Sequence, residues 1–140
     1  MRRRVIGIGT EHRGDDAAGL EVARRLRNVG AVSCGTGSLD MIDLWEGYDE
    51  VVIVDAMKSG SAPGTVARFD GLRDQLPRPP VATTHAFGTG EAVELGRILD
   101  RLPDKMTLIA IEVDRVDIGA PISQEVAAAI DQIVEELDHA

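Results

Sequence analysis

The sequence predicts a single α/β domain, a mainly parallel twisted sheet of about five strands with helices on both faces. Three observations carry this. Strand-like and helix-like segments alternate along residues 1–140, with no internal repeat or low-complexity stretch to divide them. The runs Val51-Val52-Ile53-Val54 and Leu108-Ile109-Ala110-Ile111 are apolar at consecutive positions, as strands buried on both faces are. A chain of 140 residues makes one domain and can bury a substantial core without staples.

Taken in order, Arg4–Gly9 reads as a short buried strand bounded by glycine. From Asp16 to Val29 the period becomes helical: Leu20, Ala23 and Leu26 recur with Val22 beside them, Arg24, Arg25 and Arg27 cover the other face, and Gly30 stops the helix. Ala31–Cys34 is a second strand and Gly35-Thr36-Gly37-Ser38 a loop. Leu39–Trp45 is a short helix turning Met41, Leu44 and Trp45 inward and ending at Gly47. Glu50–Asp55 is the central strand, stopping abruptly at Asp55, and Lys58, Gly60, Pro63 and Gly64 turn the chain. Thr65–Asp70 is more polar and belongs near an edge. The proline-rich Leu76–Pro80 is a surface loop. Thr83-Thr84-His85 then leads into a helix with Val93, Leu95, Ile98, Leu99 and Leu102 as its stripe. Met106–Val113 is another strand. Ser123 caps a last helix whose stripe is Val126, Ala127, Ile130, Ile133, Val134 and Leu137.

Composition narrows the classes. The aromatic share of 3% makes the core aliphatic, with Trp45 as an anchor. A net charge of −9 argues against nucleic acid or an anionic membrane as partner. The lone Cys34 permits no intramolecular disulfide and no cysteine-rich zinc pattern, and it reads as a small buried residue, not a nucleophile. No apolar run approaches a membrane span, and Met1-Arg2-Arg3-Arg4 runs straight into a strand without a signal-peptide core. The expectation is a soluble cytoplasmic monomer.

In parallel sheets, sites lie outside the carboxyl ends of the strands, near a reversal of strand order. The Gly9–Asp16 loop, Asp55 and His85 are expected to share that edge. Asp16, Asp55 and His85 are therefore the candidate constellation, because two carboxylates and an imidazole hold a borderline divalent cation and leave positions open for water or substrate. Each also has a structural reading: Asp16 as helix cap, Asp55 as acceptor for the following turn, His85 as a helix-start residue. Of the adjacent pair, Asp15 reads as the cap or supporting group and Asp16 as the ligand. Gly7-Ile8-Gly9 resembles the opening of a dinucleotide fingerprint, but position 12 is His12 and two carboxylates guard the helix start, where a pyrophosphate would meet like charge. His12 reads as a solvated loop residue and His139 as part of the tail. No Gly-x-Ser-x-Gly elbow and no His-Glu-x-x-His helix is present.

Gly7-Ile8-Gly9 with Gly14-Asp15-Asp16-Ala17-Ala18-Gly19, Ile53-Val54-Asp55-Ala56, Pro63-Gly64-Thr65-Val66, Thr84-His85, Ile109-Ala110-Ile111-Glu112 and Ile122-Ser123-Gln124-Glu125-Val126 together resemble the hydrogenase maturation endopeptidases, in the same order over nearly the whole chain. The resemblance implies an endopeptidase that removes the C-terminal extension of a nickel–iron hydrogenase large-subunit precursor after nickel insertion. By motif, the metal-contacting positions fall on Asp16, Asp55 and His85. The nickel would be carried by the precursor, with other divalent cations able to substitute. Three departures stand out: Thr10 where the family often has asparagine, Ser33 where a shared aspartate stands, and a charged Glu11-His12-Arg13 segment. The loss of the aspartate at Ser33 keeps an alternative open, a non-catalytic binding module or assembly chaperone for a metalloenzyme subunit on the same fold.

Overall fold

A computed structural model describes residues 2–34, 40–77 and 88–139. Five strands form one sheet in the order β2-β1-β3-β5-β4, namely β1 (Arg3–Ile8), β2 (Ala31–Cys34), β3 (Glu50–Met57), β4 (Val66–Asp70) and β5 (Lys105–Glu112). Every pairing is parallel except that of β4 with β5. The chain leaves β1 for β2 on one side and then crosses to β3 on the other. The carboxyl ends of β1 and β3 thus flank the point where strand order reverses, the place such sheets offer a ligand.

Helices cover both faces. On one, α2 (Asp40–Trp45) and α3 (Thr89–Ile98) pack Met41, Ile42, Trp45, Ala92 and Val93 against Ile6, Ile8, Val51, Ile53 and Leu108. On the other, α1 (Ala18–Arg25) and α4 (Gln124–Asp138) pack Ala18, Val22, Val126, Ile130 and Ile133 against Val5, Val52, Val54, Ile109 and Ile111. Successive residues of β3 and β5 feed opposite cores, which is why those strands are apolar at consecutive positions. Trp45 anchors the first core, 1% exposed, and its indole N–H donates to the Arg101 carbonyl at 2.7 Å. Among the described residues no helix is long and apolar enough to cross a membrane.

Several local expectations are corrected. The Asp16–Val29 helix is two pieces, a 3-10 turn at Gly14–Ala17 and then α1, which stops at Arg25. The stop has a tertiary cause: Asp138 Oδ1 takes the amides of Arg27 (3.0 Å) and Asn28 (2.9 Å), drawing them out of the helical ladder. The central strand does not end at Asp55, because Ala56 and Met57 continue the pairing with Ile111 and Glu112. In α3 the buried positions are Thr89, Ala92, Val93 and Gly96, and of the expected stripe Val93 is buried while Leu95 and Leu102 pack against the same core. Ile98 and Leu99 point away and are 80% and 48% exposed. Gly96 is the reason for that rotation, since a Cβ there would stand 2.8 Å from the Leu102 side chain and 3.1 Å from the Trp45 ring. In α4 the apolar stripe runs through Ala129, leaving Ala127 exposed, and in α2 Ile42 is buried with Met41 and Trp45 while Leu44 packs half-buried against the same core.

Glycine matters most where α1 meets the sheet. A Cβ on Gly19 would lie 2.2 Å from the Ile8 carbonyl and 2.3 Å from that of Val54, and one on Gly7 would lie 2.0 Å from the Gly19 carbonyl. Only glycine permits this backbone-on-backbone approach, which seats the start of α1 directly over β1 and β3.

Candidate active site

The approach of α1 to the sheet brings the two candidate carboxylates together. Beyond β1 the Gly9 amide donates to the Cys34 carbonyl (3.2 Å), and the loop folds back so that the Thr10 amide donates to the Asp16 carbonyl (3.2 Å). The Asp16 amide donates to the Arg13 carbonyl (3.1 Å). Asp16 is 4% exposed. Burial raises its carboxyl above the ordinary aspartate value, and a hydrogen bond with the Thr10 side chain and the Arg13 charge act in the opposite sense.

Asp55 sits near the end of β3, half-buried, its face turned toward α3. It opens on a small cleft lined also by Pro77, Gly88, Thr89, Leu108 and Ala110. Its Oδ1 accepts the Ala56 amide at 2.8 Å. Burial dominates, only partly offset by that bond, and the Asp16 charge adds to it, so the Asp55 carboxyl is pushed up to about 8. Each carboxylate is disfavoured as an anion, and Asp55 is disfavoured partly because Asp16 is close. Such a pair gains from the arrival of a positive charge, whether a proton or a metal ion.

His85, the third predicted member, lies outside the described residues. Among the described residues no group of three His, Cys, Asp or Glu side chains is placed to hold a metal ion. Cys34 is buried at the end of β2, and burial first, then the charges of Asp40 and Asp55, raises its thiol. That is the opposite of nucleophile activation. Ser33 lines an open groove beside the site with Gly9, Thr10, Glu11, Leu20, Arg24 and Cys34, and the rim carries a Glu11–Arg24 ion pair. His12 is exposed, in left-handed backbone at φ 64°.

Of four further participants, the sequence offered a supporting role only for Asp15. Thr10 stood out only as a departure from a motif, yet its side chain bonds Asp16. Asp15, read as a cap or a supporting group, is no cap: it is fully buried and accepts hydrogen bonds from residues 114, 115 and 123. Ser123 does precede α4, but its hydroxyl donates to Asp15 Oδ2 (2.9 Å) and accepts no amide from the helix it begins. Glu112 is 1% exposed and accepts the Ser59 amide and hydroxyl. The only signal in the sequence was the presence of acidic residues beside strand ends, which does not distinguish these roles.

The hydrogenase expression/formation protein HupD of Thiocapsa roseopersicina is 26% identical, over 94% of this chain and 63% of its own length. HupD of Bradyrhizobium diazoefficiens is 28% identical, over 96% and 73%. This chain thus spans just under two thirds of the Thiocapsa protein. The solved [NiFe] hydrogenase maturation protease HybD of Thermococcus kodakarensis superposes with a TM-score of 0.77 at 26% identity, covering 99% of this chain and 98% of that one. The family model for hydrogenase maturation proteases matches residues 17–139, from just after Asp16 through the last helix. With the fold, the order of its motifs and nearly the full length in agreement, the chain belongs to the hydrogenase maturation protease family.

Proposed function

We propose that this protein is an endopeptidase that removes the C-terminal extension of a nickel–iron hydrogenase large-subunit precursor after nickel insertion. Asp16, Asp55 and His85 contact the nickel carried by the precursor. The observation that supports this best is the pairing of two desolvated carboxylates where the strand order reverses, with Asp55 pushed up to about 8. His85 is included on the motif resemblance, and in the sequence it stands three positions before Gly88, which lines the Asp55 cleft.

The electrostatics give the pair a way to read metal loading. With nickel-free precursor, docking only deepens the desolvation of Asp16 and Asp55 and leaves Asp55 protonated, because burial and the Asp16 charge hold its carboxyl up at about 8. With nickel present, the cation offsets both penalties at once, so the loaded precursor binds in the cleavage-competent pose and the empty one does not. The chain's own groups orient and hold. Thr10 fixes Asp16 by its hydrogen bond, and the Ala56 amide fixes one oxygen of Asp55. In an alternative division of labour, Asp16, Asp55 and His85 would hold a divalent cation, which would supply Lewis acidity for activating water.

The test is cleavage of nickel-loaded against nickel-free precursor by the purified protein. Cleavage of the loaded form alone is expected, and equal cutting of both removes the nickel checkpoint. One observation favours a second reading, a non-catalytic chaperone: Ser33, in place of the family aspartate, stands exposed at the end of β2. Asp55→Ala separates the two, since it abolishes processing by an enzyme but leaves precursor binding and folding largely intact. Tight binding by the wild type without processing of any precursor decides for the chaperone.

A further inference from the structure

Asp15 precedes Asp16 and is fully buried, yet its carboxylate faces a different part of the molecule. Oδ2 accepts the amides of Asp114 (2.8 Å) and Arg115 (3.2 Å) and the Ser123 hydroxyl (2.9 Å), and Oδ1 accepts the Ser123 amide (2.7 Å). The Asp15 amide in turn donates to the Arg115 carbonyl at 2.7 Å. All these partners belong to the strap joining β5 to α4. A buried carboxylate engaged this fully is held in place and is not available as ligand or base.

The loop it belongs to is not shaped by its own hydrogen bonds alone. His12 and Gly14 both sit in left-handed backbone, at φ 64° and 56°, a conformation that costs a non-glycine residue free energy and persists only where the surroundings impose it. The surroundings here are the same strap. The Gly119 amide donates to the His12 carbonyl at 2.7 Å, and a Cβ on Gly14 would stand 2.4 Å from the Arg115 carbonyl. Directly after those two contacts comes the Asp15 staple, and then Asp16.

We infer that Asp15 is a positioning residue: its buried carboxylate staples the Asp16 loop to the β5–α4 strap and thereby sets where Asp16 stands relative to Asp55. The inference rests on the role proposed above for Asp16. It assigns Ser123 a share in the same task, since that residue alone meets both carboxylate oxygens. An asparagine at position 15 cannot satisfy the strap, because whichever way its amide turns, an N–H₂ group faces an N–H donor.

The experiment compares Asp15→Asn, Ser123→Ala, Ser123→Thr and Asp16→Ala with the wild type, by cleavage of nickel-loaded precursor per folded molecule. Asp15→Asn is expected to lower kcat by about tenfold or more, the usual effect of losing a group that orients a ligand. Its KM should stay within about twofold, because Asp15 touches no substrate. Ser123→Ala should lower kcat by about threefold, and Ser123→Thr, which restores the hydroxyl, should return it. Amide exchange at Thr10 and Asp16 should quicken in Ser123→Ala while β3 is unaffected. Wild-type kcat in Asp15→Asn, a loss confined to KM, equal activity of the two Ser123 variants, or uniformly faster exchange overturns the inference. If Asp15→Asn does not fold, the Ser123 pair and the exchange pattern decide. Asp16→Ala cleaving at the wild-type rate overturns the functional reading, and with it any part for Asp15 in cleavage. A slow Asp16→Ala beside a fast Asp15→Asn overturns the inference alone.

Discussion

Asp55 and Glu112 lie on adjacent strands at the same edge of the sheet, Asp55 opposite Ala110 and Glu112 opposite Met57. Burial pushes both carboxyls upward, and there the likeness ends. At Asp55 the Ala56 amide offsets burial only in part and Asp16 adds repulsion, so the group rises to about 8. At Glu112 the Ser59 hydroxyl, the amides of Ser59 and Gly60 and the Lys58 charge outweigh burial and bring the carboxyl below the ordinary glutamate value. Glu112 is shut from solvent by the small turn that it organises. The lesson is that donors, and not depth, decide what a buried carboxylate is for. One supplied with donors secures a turn, whereas one denied them and set beside a like charge is poised to meet a cation.

This contrast can be broken at either end. The largest effect is expected for Asp55→Asn on cleavage of the nickel-loaded precursor, a loss of about 10² to 10³-fold, the size found for removal of a preorganised electrostatic group. The same substitution should stabilise the fold. Because the folded carboxyl is the weaker acid, folding favours its protonated form. Native stability therefore falls as pH rises from the ordinary value of 3.8 through about 8. Asp55→Asn removes that dependence and should gain about 2 to 4 kcal/mol near pH 8, with almost no gain near pH 4, as read from urea midpoints. A variant both less active and less stable near pH 8 would show that Asp55 is structural.

Glu112 should behave in the reverse way. Glu112→Ala strands the Ser59 donors and should cost about 2 to 3 kcal/mol of stability, with cleavage per folded molecule little changed. The sign of its pH dependence is opposite. Its contribution is present above the ordinary glutamate value of 4.5 and is lost as pH falls through the lower folded value. The smallest effect is expected for Ser59→Ala, about 1 kcal/mol, with the Glu112 carboxyl moving back up toward its ordinary value in an NMR titration. Loss of cleavage in folded Glu112→Ala would place Glu112 in the site and dissolve the contrast.

Much of the architecture was legible because it follows from local chemistry. Consecutive apolar residues at Val51–Val54 require two covered faces, and the stripe through Val126, Ile130 and Ile133 requires a helix. The edge position of β4 followed from its polar pattern. What failed locally failed for non-local reasons. α1 ends early because Asp138, on the last helix, takes its next amides. The α3 stripe turns because Gly96 admits Trp45 and Leu102.

For the site, sequence order and strand ends were enough to nominate Asp16 and Asp55 for one edge, since parallel strands present their carboxyl ends together. The family likeness was also carried by the sequence, in the order of short motifs. Tertiary structure alone decided what each acidic residue does. Asp15, Asp16, Asp55 and Glu112 are chemically near-identical in the sequence, and their roles separate only when donors arrive from elsewhere in the chain. The amides at 114, 115 and 123 satisfy Asp15, those of the Ser59 turn satisfy Glu112, and Asp16 and Asp55 are left desolvated, with the Asp16 charge felt at Asp55. A carboxylate's function is set by its solvation, and its solvation is a property of the fold.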